Sequence, residues 1–299
     1  MGVRRAVQMA LEESARADST FPGSLVYTLG PLIHNARVLE ILRERGITCL
    51  IESGIPGAPE NSTVIIRAHG ISPVVEETLL RQGLRIVDAT CPHVKLSQEQ
   101  AASFAEKGYK VFLAGGAGHG EMAGIRGYVE NALTLKEDKD QSCFPSCFIV
   151  GNPAEAEAAA SELFCREPRA KTVLIGQTTI RVEEYFSISE QIQRYFPSLE
   201  IVDSICCATK DRQEALRQLC GITDAVIIAG GNESANTQRL YSLACELGKP
   251  AWLVETVSDL PAEIDNYQTV GLSAGASTPD ELIDEIEEAL NNSPHLCKF

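Results

Sequence analysis

Short β-branched runs alternate with longer stretches of helical spacing along this chain. Three of the runs share one pattern, a threonine followed by apolar residues, at 63–66 (TVII), 172–175 (TVLI) and 269–272 (TVGL). Helical stretches such as 97–108 and 212–220 lie between strand-like segments. Strands that alternate with helices of about a dozen residues are typical of βαβ units. The pattern therefore predicts an α/β fold with parallel sheets.

An internal repeat adds a domain organisation to this prediction. The octets at 84–91 (LRIVDATC) and 199–206 (LEIVDSIC) are identical at five of eight positions and lie 115 residues apart, since 199 minus 84 is 115. The same shift carries 111–116 (VFLAGG) onto 226–231 (VIIAGG). A register held over this length indicates an internal duplication.

With the three threonine-led strands, the repeat predicts three pseudo-repeated α/β lobes arranged around a central cavity. Lobe 1 is placed at residues 1–89, lobe 2 at 90–202 and lobe 3 at 203–290, followed by a tail at 291–299. The three lobes are expected to share interfaces, because no rigid linker separates them.

Composition restricts the possible binding partners and the expected cellular location of the protein. The formal net charge is −15, and no run of Lys and Arg is interleaved with aromatic residues, so nucleic acid is excluded as a partner. No long apolar run and no signal-peptide core are visible, so we expect no membrane association and a cytoplasmic location. Ten cysteines in the cytoplasm indicate metal ligands, catalytic thiols or buried side chains rather than disulfides.

Polar side chains follow the predicted strands of all three lobes. They are His34, His119, Glu121, Ser234 and Asn236 after the first strands, and His69, Thr178, Thr179 and Ser277 after the second strands. Ligand loops lie at the carboxyl ends of parallel strands, and donors at helix N-termini suit phosphate groups. No GxxxxGK motif is present, so a nucleoside triphosphate is not the predicted ligand. The loop set predicts a phosphate-binding site with a single carboxylate.

These loops carry a combination of motifs that resembles one known family. The motifs are HN at 34, AHG at 68, DATCP at 88, AGHGE at 117, QTT at 177, ICCAT at 205, SAN at 234 and SAGAS at 273. Over essentially the whole chain the sequence resembles the 4-hydroxy-3-methylbut-2-enyl diphosphate reductases, the LytB or IspH family. The resemblance implies three α/β lobes around a cavity that holds a [4Fe-4S] cluster.

The resemblance implies that three cysteines, one per lobe, bind the cluster. Two of them correspond to Cys91 and Cys206. The third belongs to a GFCxGV stretch of which Met1, Gly2 and Val3 are present here, so this ligand is expected just before Met1 and is absent from the sequence. Lobe 1 accordingly lacks its expected first strand. With two of the three ligands, we expect poor cluster assembly and a chain that is inactive as printed. A misplaced start, a trimmed chain and a paralogue without a cluster are the open explanations.

The resemblance also implies a reaction, the last step of the non-mevalonate isoprenoid pathway. An iron-sulfur oxidoreductase of this family removes the allylic hydroxyl of its substrate with two electrons and two protons, giving isopentenyl and dimethylallyl diphosphate. Ferredoxin or flavodoxin is the implied electron donor.

The implied residue roles divide into proton transfer and substrate binding. Glu121 is the candidate proton donor, because a buried carboxyl group in apolar surroundings favours its protonated form. Thr178 is expected to bind the substrate hydroxyl and relay protons, and His119 completes the catalytic set. The expected diphosphate-binding residues are His34, His69, His119, Thr178, Thr179, Ser234, Asn236 and Ser277.

Two alternative interpretations remain open at this level. Cys143 and Cys147 form a CxxxC pair, for which zinc binding is the alternative to a role in packing, although no second ligand pair has zinc spacing. The alternative function is a cluster-deficient protein that binds a diphosphate without redox activity.

Overall fold

The computed structural model describes residues 2–20, 25–33, 35–51, 55, 57–135 and 144–292. Strands and helices alternate through these residues, as the hydrophobic pattern predicts. In chain order the elements are α1 (Gly2–Thr20), β1 (Val26–Leu29), α2 (Ala36–Glu44), β2 (Ile47–Leu50), β3 (Thr63–Ile66), α3 (Pro73–Arg81), β4 (Arg85–Asp88), α4 (Pro92–Glu106), β5 (Lys110–Ala114), α5 (Gly120–Thr134), β6 (Cys147–Val150), α6 (Pro153–Arg166), β7 (Thr172–Gly176), α7 (Val182–Gln193), β8 (Glu200–Ile201), α8 (Cys207–Ile222), β9 (Ala225–Ala229), α9 (Ala235–Glu246), β10 (Ala251–Val254), β11 (Val270–Ala274) and α10 (Asp280–Asn291).

The strands form three parallel sheets with matching topology. Their orders are β2-β1-β3-β4, β6-β5-β7-β8 and β10-β9-β11. All pairings are parallel, for example Val26 with Thr63 in the first sheet and Val111 with Val173 in the second. Strands β5 and β9 begin at residues 110 and 225, which is the repeat distance of 115. The predicted fold class, with its repeated α/β arrangement, is confirmed.

The three threonine-led strands lie within two residues of their predicted bounds, whereas the helices begin earlier than the helical stretches at 97–108 and 212–220 indicate. Strand β3 has the bounds expected from its TVII run. Helix α4 begins at Pro92 rather than at residue 97, because Cys91 has an extended backbone as N-cap and the fixed φ of Pro92 suits the first helical position. Helix α8 likewise begins at Cys207 rather than at residue 212. The cysteines therefore lie at helix entrances, outside the strands that precede them.

The inner strands are buried on both faces. Every residue of β3, β5, β7 and β9 is buried, which is typical of parallel sheets covered by helices on both sides. In the second sheet, Phe112 and Leu174 pack on one face with residues of α6 and α7. Val111 and Ile175 pack on the other face with residues of α4 and α5. Full burial of each such side chain contributes about 1.5–3 kcal/mol to folding, so these layers hold the strand ends in place.

The chain has two compact units. The first comprises residues 2–32 and 42–206 and contains the first two sheets. The second comprises residues 33–41 with residues from 207 onward and contains the third sheet. Each of the predicted lobes, 1–89, 90–202 and 203–290, contains one sheet; the lobe boundaries themselves stay a prediction.

Helix α1 illustrates the polarity of the helical surface. It is 19 residues long and includes Arg4, Arg5, Glu12 and Glu13. Within the described ranges, no helix combines the length and apolar character needed to cross a bilayer.

Close approach of α3 and α5 depends on a glycine. Ser72 caps α3, and a methyl group added at Gly127 of α5 would overlap its Cβ atom. We expect Gly127→Ala to lower the free energy of unfolding by about 1–3 kcal/mol, because the two helices must separate. Gly221→Ala in α8 is the matched control, since no atom lies within 4 Å of the added methyl group. Urea denaturation followed by circular dichroism measures both variants, and equal effects would contradict this account of the packing.

Candidate active site

The loop after β4 presents Cys91. Asp88 Oδ1 accepts a hydrogen bond from the Thr90 backbone N–H at 2.9 Å, and Oδ2 accepts one from Lys95 Nζ at 2.7 Å. The Cys91 N–H donates to the Ala68 carbonyl at 3.0 Å, which ties this loop to the neighbouring one after β3. The Cys91 thiol is therefore held at the N-terminus of α4 with partial solvent access.

The charge of Asp88 is stabilised by these contacts. Burial alone raises the pKa of Asp88, but the hydrogen bonds from Lys95 and Thr90 outweigh it, so the net pKa lies below the ordinary value. Asp88 thus remains ionised at neutral pH and keeps the turn before Cys91 closed.

Cys206 has an equivalent setting in the second sheet. Its N–H donates to the Thr178 carbonyl at 3.0 Å, and α8 begins at the next residue. A ring nitrogen of His93, in the first turn of α4, lies within 4.8 Å of Cys206 Sγ. Because His93 is two residues beyond Cys91, the two predicted ligand loops converge within the first unit.

The turn that carries His69 is compact and depends on glycine. The Gly70 N–H donates to the Arg67 carbonyl at 3.0 Å, and Gly70 has φ +71°, where glycine is favoured. A methyl group at Gly70 would also overlap the Gln98 side chain. The His69 ring meets the His119 ring edge to face, with centroids 4.8 Å apart. These two predicted diphosphate-binding residues are thus neighbours.

Glu121 and Thr178 form a buried contact through two hydrogen bonds. Glu121 is 1% exposed, although it carries an ionisable group. Its Oε1 accepts a hydrogen bond from the Thr178 backbone N–H at 2.6 Å, and its Oε2 lies 3.0 Å from Thr178 Oγ1. The two residues come from separate loops, after β5 and after β7. The structure therefore brings the predicted proton donor and the predicted relay residue together.

His119 orients the start of α5. It is the N-cap residue, and its Nδ1 accepts a hydrogen bond from the Glu121 N–H at 3.2 Å. A neutral imidazole whose Nδ1 accepts carries its proton on Nε2. This arrangement makes Nε2–H a hydrogen-bond donor.

Gln177 supports Thr179 and was not selected from the sequence. Gln177 is buried; its Nε2 donates to Thr179 Oγ1 at 3.0 Å, and its Oε1 accepts from the Gly116 N–H at 3.4 Å. A methyl group at Gly115 would lie 2.8 Å from the same Oε1 atom. The QTT motif contained this signal, because a buried amide needs several partners.

In the second unit, the loops after β9 and β11 hold the remaining described candidates. Ser234 caps α9, and its Oγ accepts from the Thr237 N–H at 3.4 Å. Asn236 is 7% exposed, and its Nδ2 is buried with no hydrogen-bond partner in the described part of the chain. Ser277 lies half-buried in the loop before α10. An unsatisfied buried donor is costly, so Asn236 fits a role in anion binding.

Some predicted residues fall elsewhere. His34 and Cys143 lie outside the described residues. Cys147 lies in β6, paired with Val111, and burial raises the pKa of its thiol to about 12. A neutral thiol within a strand fits packing and does not support a zinc site.

Comparisons with known proteins identify relatives over the whole chain. The family model described as LytB protein matches residues 1–291. The 4-hydroxy-3-methylbut-2-enyl diphosphate reductase of Treponema pallidum (strain Nichols) is 44% identical over 312 aligned residues, which cover 97% of this chain and 80% of the relative. The enzyme of the same name from Treponema denticola is 38% identical, with 97% and 94% covered.

Solved structures agree with these sequence matches. The E-1-hydroxy-2-methyl-but-2-enyl-4-diphosphate reductase of Plasmodium falciparum has a TM-score of 0.83 at 26% identity and covers 99% of this chain and 88% of its own. A structure of (E)-4-hydroxy-3-methyl-but-2-enyl diphosphate reductase, described as the terminal enzyme of the non-mevalonate pathway, has a TM-score of 0.66 at 32% identity, with 97% and 95% covered.

The Asp88 contacts predict a pH-dependent contribution to stability. Asp88→Asn should lower the free energy of unfolding at neutral pH by about 0.5–1 kcal/mol, since its ion pair with Lys95 is partly exposed. The pKa of folded Asp88 is below its ordinary value of 3.8, so this contribution is present above that value and is lost as the pH falls through the lowered pKa. Chemical denaturation at neutral pH and near pH 3 should show the difference shrinking in acid. The exposed control Asp284→Asn should change little, and an Asp88 effect that grew in acid would refute the assignment.

Proposed function

Because this chain belongs to the LytB family, whose compared relatives are 4-hydroxy-3-methylbut-2-enyl diphosphate reductases, we propose how its own residues perform that reaction. The reaction is the reductive dehydroxylation of 4-hydroxy-3-methylbut-2-enyl diphosphate to isopentenyl diphosphate and dimethylallyl diphosphate, the last step of the non-mevalonate pathway. Two electrons and two protons are consumed; one proton leaves with the hydroxyl oxygen as water, and the other is added to carbon. The observation that carries the residue assignment is the buried contact between Glu121 and Thr178.

The proton path starts at one oxygen of Glu121. Oε1 accepts the hydrogen bond from the Thr178 N–H, so a carboxyl proton lies on Oε2. In the structure Thr178 Oγ1 donates to Oε2 at 3.0 Å. When Glu121 is protonated on Oε2, this hydrogen bond reverses: Oγ1 accepts from the carboxyl proton and turns its own O–H toward the substrate hydroxyl. A proton passed along this pair converts the hydroxyl into water, which is a far better leaving group than hydroxide.

Cys91 and Cys206 fit a role as cluster ligands. Both are half-buried, both lie at helix entrances, and both have a backbone N–H held by the adjacent loop. The positive end of a helix suits an anionic sulfur ligand. When bound, a [4Fe-4S] cluster supplies electrons and a Lewis-acidic iron for the substrate hydroxyl. The third ligand is expected just before Met1, two residues before Gly2, and a methyl group added at Gly2 would lie 2.9 Å from Cys91 Sγ.

The diphosphate is assigned to the neutral donors of the loops. In the first unit these are His69, the Nε2–H of His119, and Thr178 with Thr179, which Gln177 positions. Ser234, Asn236 and Ser277 are assigned the same role in the second unit, as is His34 from its motif. Several converging donors suffice, because phosphate oxygens accept strong charge-assisted hydrogen bonds.

An external protein must supply the two electrons. Ferredoxin or flavodoxin, acting in the cytoplasm, is the class of donor that we propose. Both are acidic, and this chain has a formal net charge of −15. Docking therefore requires a local basic surface that overcomes the overall repulsion.

The proton path predicts a selective loss of activity. Glu121→Gln should reduce turnover by about 10²–10⁴-fold, because the amide cannot donate the proton, while pyrophosphate affinity stays within about twofold. Glu130→Gln is the matched control, since Glu130 lies on the same helix and its ion pair with Arg126 is exposed. Single-turnover kinetics and calorimetry measure the two effects. Full activity in Glu121→Gln would remove this residue from the proton path.

The ligand assignment predicts a loss of iron. After anaerobic reconstitution with iron and sulfide, Cys91→Ser should hold less than about half the iron of the unchanged chain. The reason is that only one of the two assigned cysteine ligands, Cys206, is left. The exposed Cys165→Ser, in helix α6, should hold the same amount as the unchanged chain. Iron and sulfide analysis with electron paramagnetic resonance checks both. Equal iron in all three proteins would contradict the assignment of Cys91.

A further inference from the structure

The side chain of Arg67 lies among the loops that carry the first unit's candidates. Arg67 directly follows β3 and begins the turn that contains His69. A methyl group built on Gly30, just after β1, would lie 2.8 Å from its Nη1. A methyl group built on Gly120, the first residue of α5, would lie 2.5 Å from its Nη2. The guanidinium therefore lies against two backbone segments that have no side chain at that point.

Positive charge accumulates around the Arg67 side chain. The first residue of α5 lies at the positive end of the helix dipole, and the guanidinium adds a full positive charge beside it. Arg67 is half-buried as a residue, but its Nε atom is buried and makes no hydrogen bond within the described residues. A buried N–H of a cationic group without an acceptor is costly, so the arrangement favours an anionic ligand.

The surrounding residues indicate where such an anion lies. Gly120 follows His119 directly, and the His119 ring contacts that of His69, two residues beyond Arg67. Loops after β1, β3 and β5 thus meet at one guanidinium. The carboxyl ends of parallel strands are where ligands bind in open α/β sheets.

We propose that Arg67 is a further substrate-binding residue, which binds anionic oxygens of the diphosphate beside His69 and His119. This inference rests on the proposed function and adds a permanent positive charge to a set of neutral donors. An arginine presents several N–H donors in a planar fork, which suits phosphate oxygens better than a single ammonium group does. The glycines at positions 30 and 120 leave the space that the fork occupies.

The binding role is tested with inorganic pyrophosphate, so that neither turnover nor a bound cluster is needed. Arg67→Gln should weaken pyrophosphate binding by about 10- to 100-fold in isothermal titration calorimetry, because a charge-assisted contact is lost. The salt dependence of binding should also decrease, since one positive charge fewer faces the anion. Arg126→Gln, an exposed arginine of α5, should bind like the unchanged chain and serves as the control.

A purely structural role predicts a different result. If Arg67 only separates the loops, Arg67→Gln lowers thermal stability but leaves pyrophosphate affinity and its salt dependence unchanged, and that outcome overturns the proposal. If Arg67→Gln does not fold, Arg67→Lys decides: it should keep the salt dependence and bind about three- to tenfold more weakly, because the fork is lost. Unchanged affinity in Arg67→Lys would then overturn the proposal.

The kinetic readout separates this proposal from the proposed function. In a chain that turns over, Arg67→Gln should raise KM with little change in kcat, because diphosphate binding precedes the proton steps. Pyrophosphate binding that depends on Arg67, in a chain that holds a reconstituted cluster but does not reduce the substrate, would uphold the Arg67 site and refute the proposed function. If the chain turns over substrate and its pyrophosphate binding is independent of Arg67, the proposed function stands and the Arg67 site is refuted.

Discussion

Two hydrogen bonds from Thr178 to the Glu121 carboxylate connect the loops around which the first unit's site is built. One oxygen of Glu121 accepts from the backbone, so the loop after β7 cannot move without breaking a short contact to the first turn of α5. The other oxygen faces a hydroxyl that can either donate or accept. The same contact thus fixes the position of Thr178 and leaves one oxygen for a mobile proton. Glu121 is buried, and a buried carboxylate without hydrogen-bond partners is strongly disfavoured. The position of Thr178 and the proton path therefore both require the contact between Glu121 and Thr178.

The neighbouring loops are held by the same kind of interaction, a polar side chain that bonds the backbone of another loop. Asp88 closes the turn before Cys91, Gln177 joins Thr179 to Gly116, and backbone bonds connect Cys91 to Ala68 and Cys206 to Thr178. Such a network resists displacement, since each lost bond leaves a donor or an acceptor in a partly buried loop unsatisfied. The candidate site residues are consequently held in position before a substrate or cofactor binds, which lowers the entropic cost of binding.

Charge is distributed unevenly between the chain and its candidate site. The chain as a whole is strongly acidic, whereas the first unit's site places Arg67, two histidines and the positive end of α5 together. An acidic exterior keeps the protein soluble and repels anions in general. A local cluster of donors then selects an anion by position and by hydrogen-bond geometry rather than by overall attraction.

The sequence by itself determined the parallel α/β class, the strands that begin at or next to residues 63, 172 and 269, and the loops that carry Cys91, Glu121, Thr178 and Cys206. These features follow from periodicity, the 115-residue repeat and motif residues, all of which can be read from the order of residues along the chain. Tertiary structure alone decided that Glu121 meets Thr178, 57 residues away, that Gln177 supports Thr179, and that Arg67 lies between Gly30 and Gly120. The physical reason is that such contacts arise where the ends of separate strands pack side by side. A local sequence pattern carries no information about which strand ends lie close together in space.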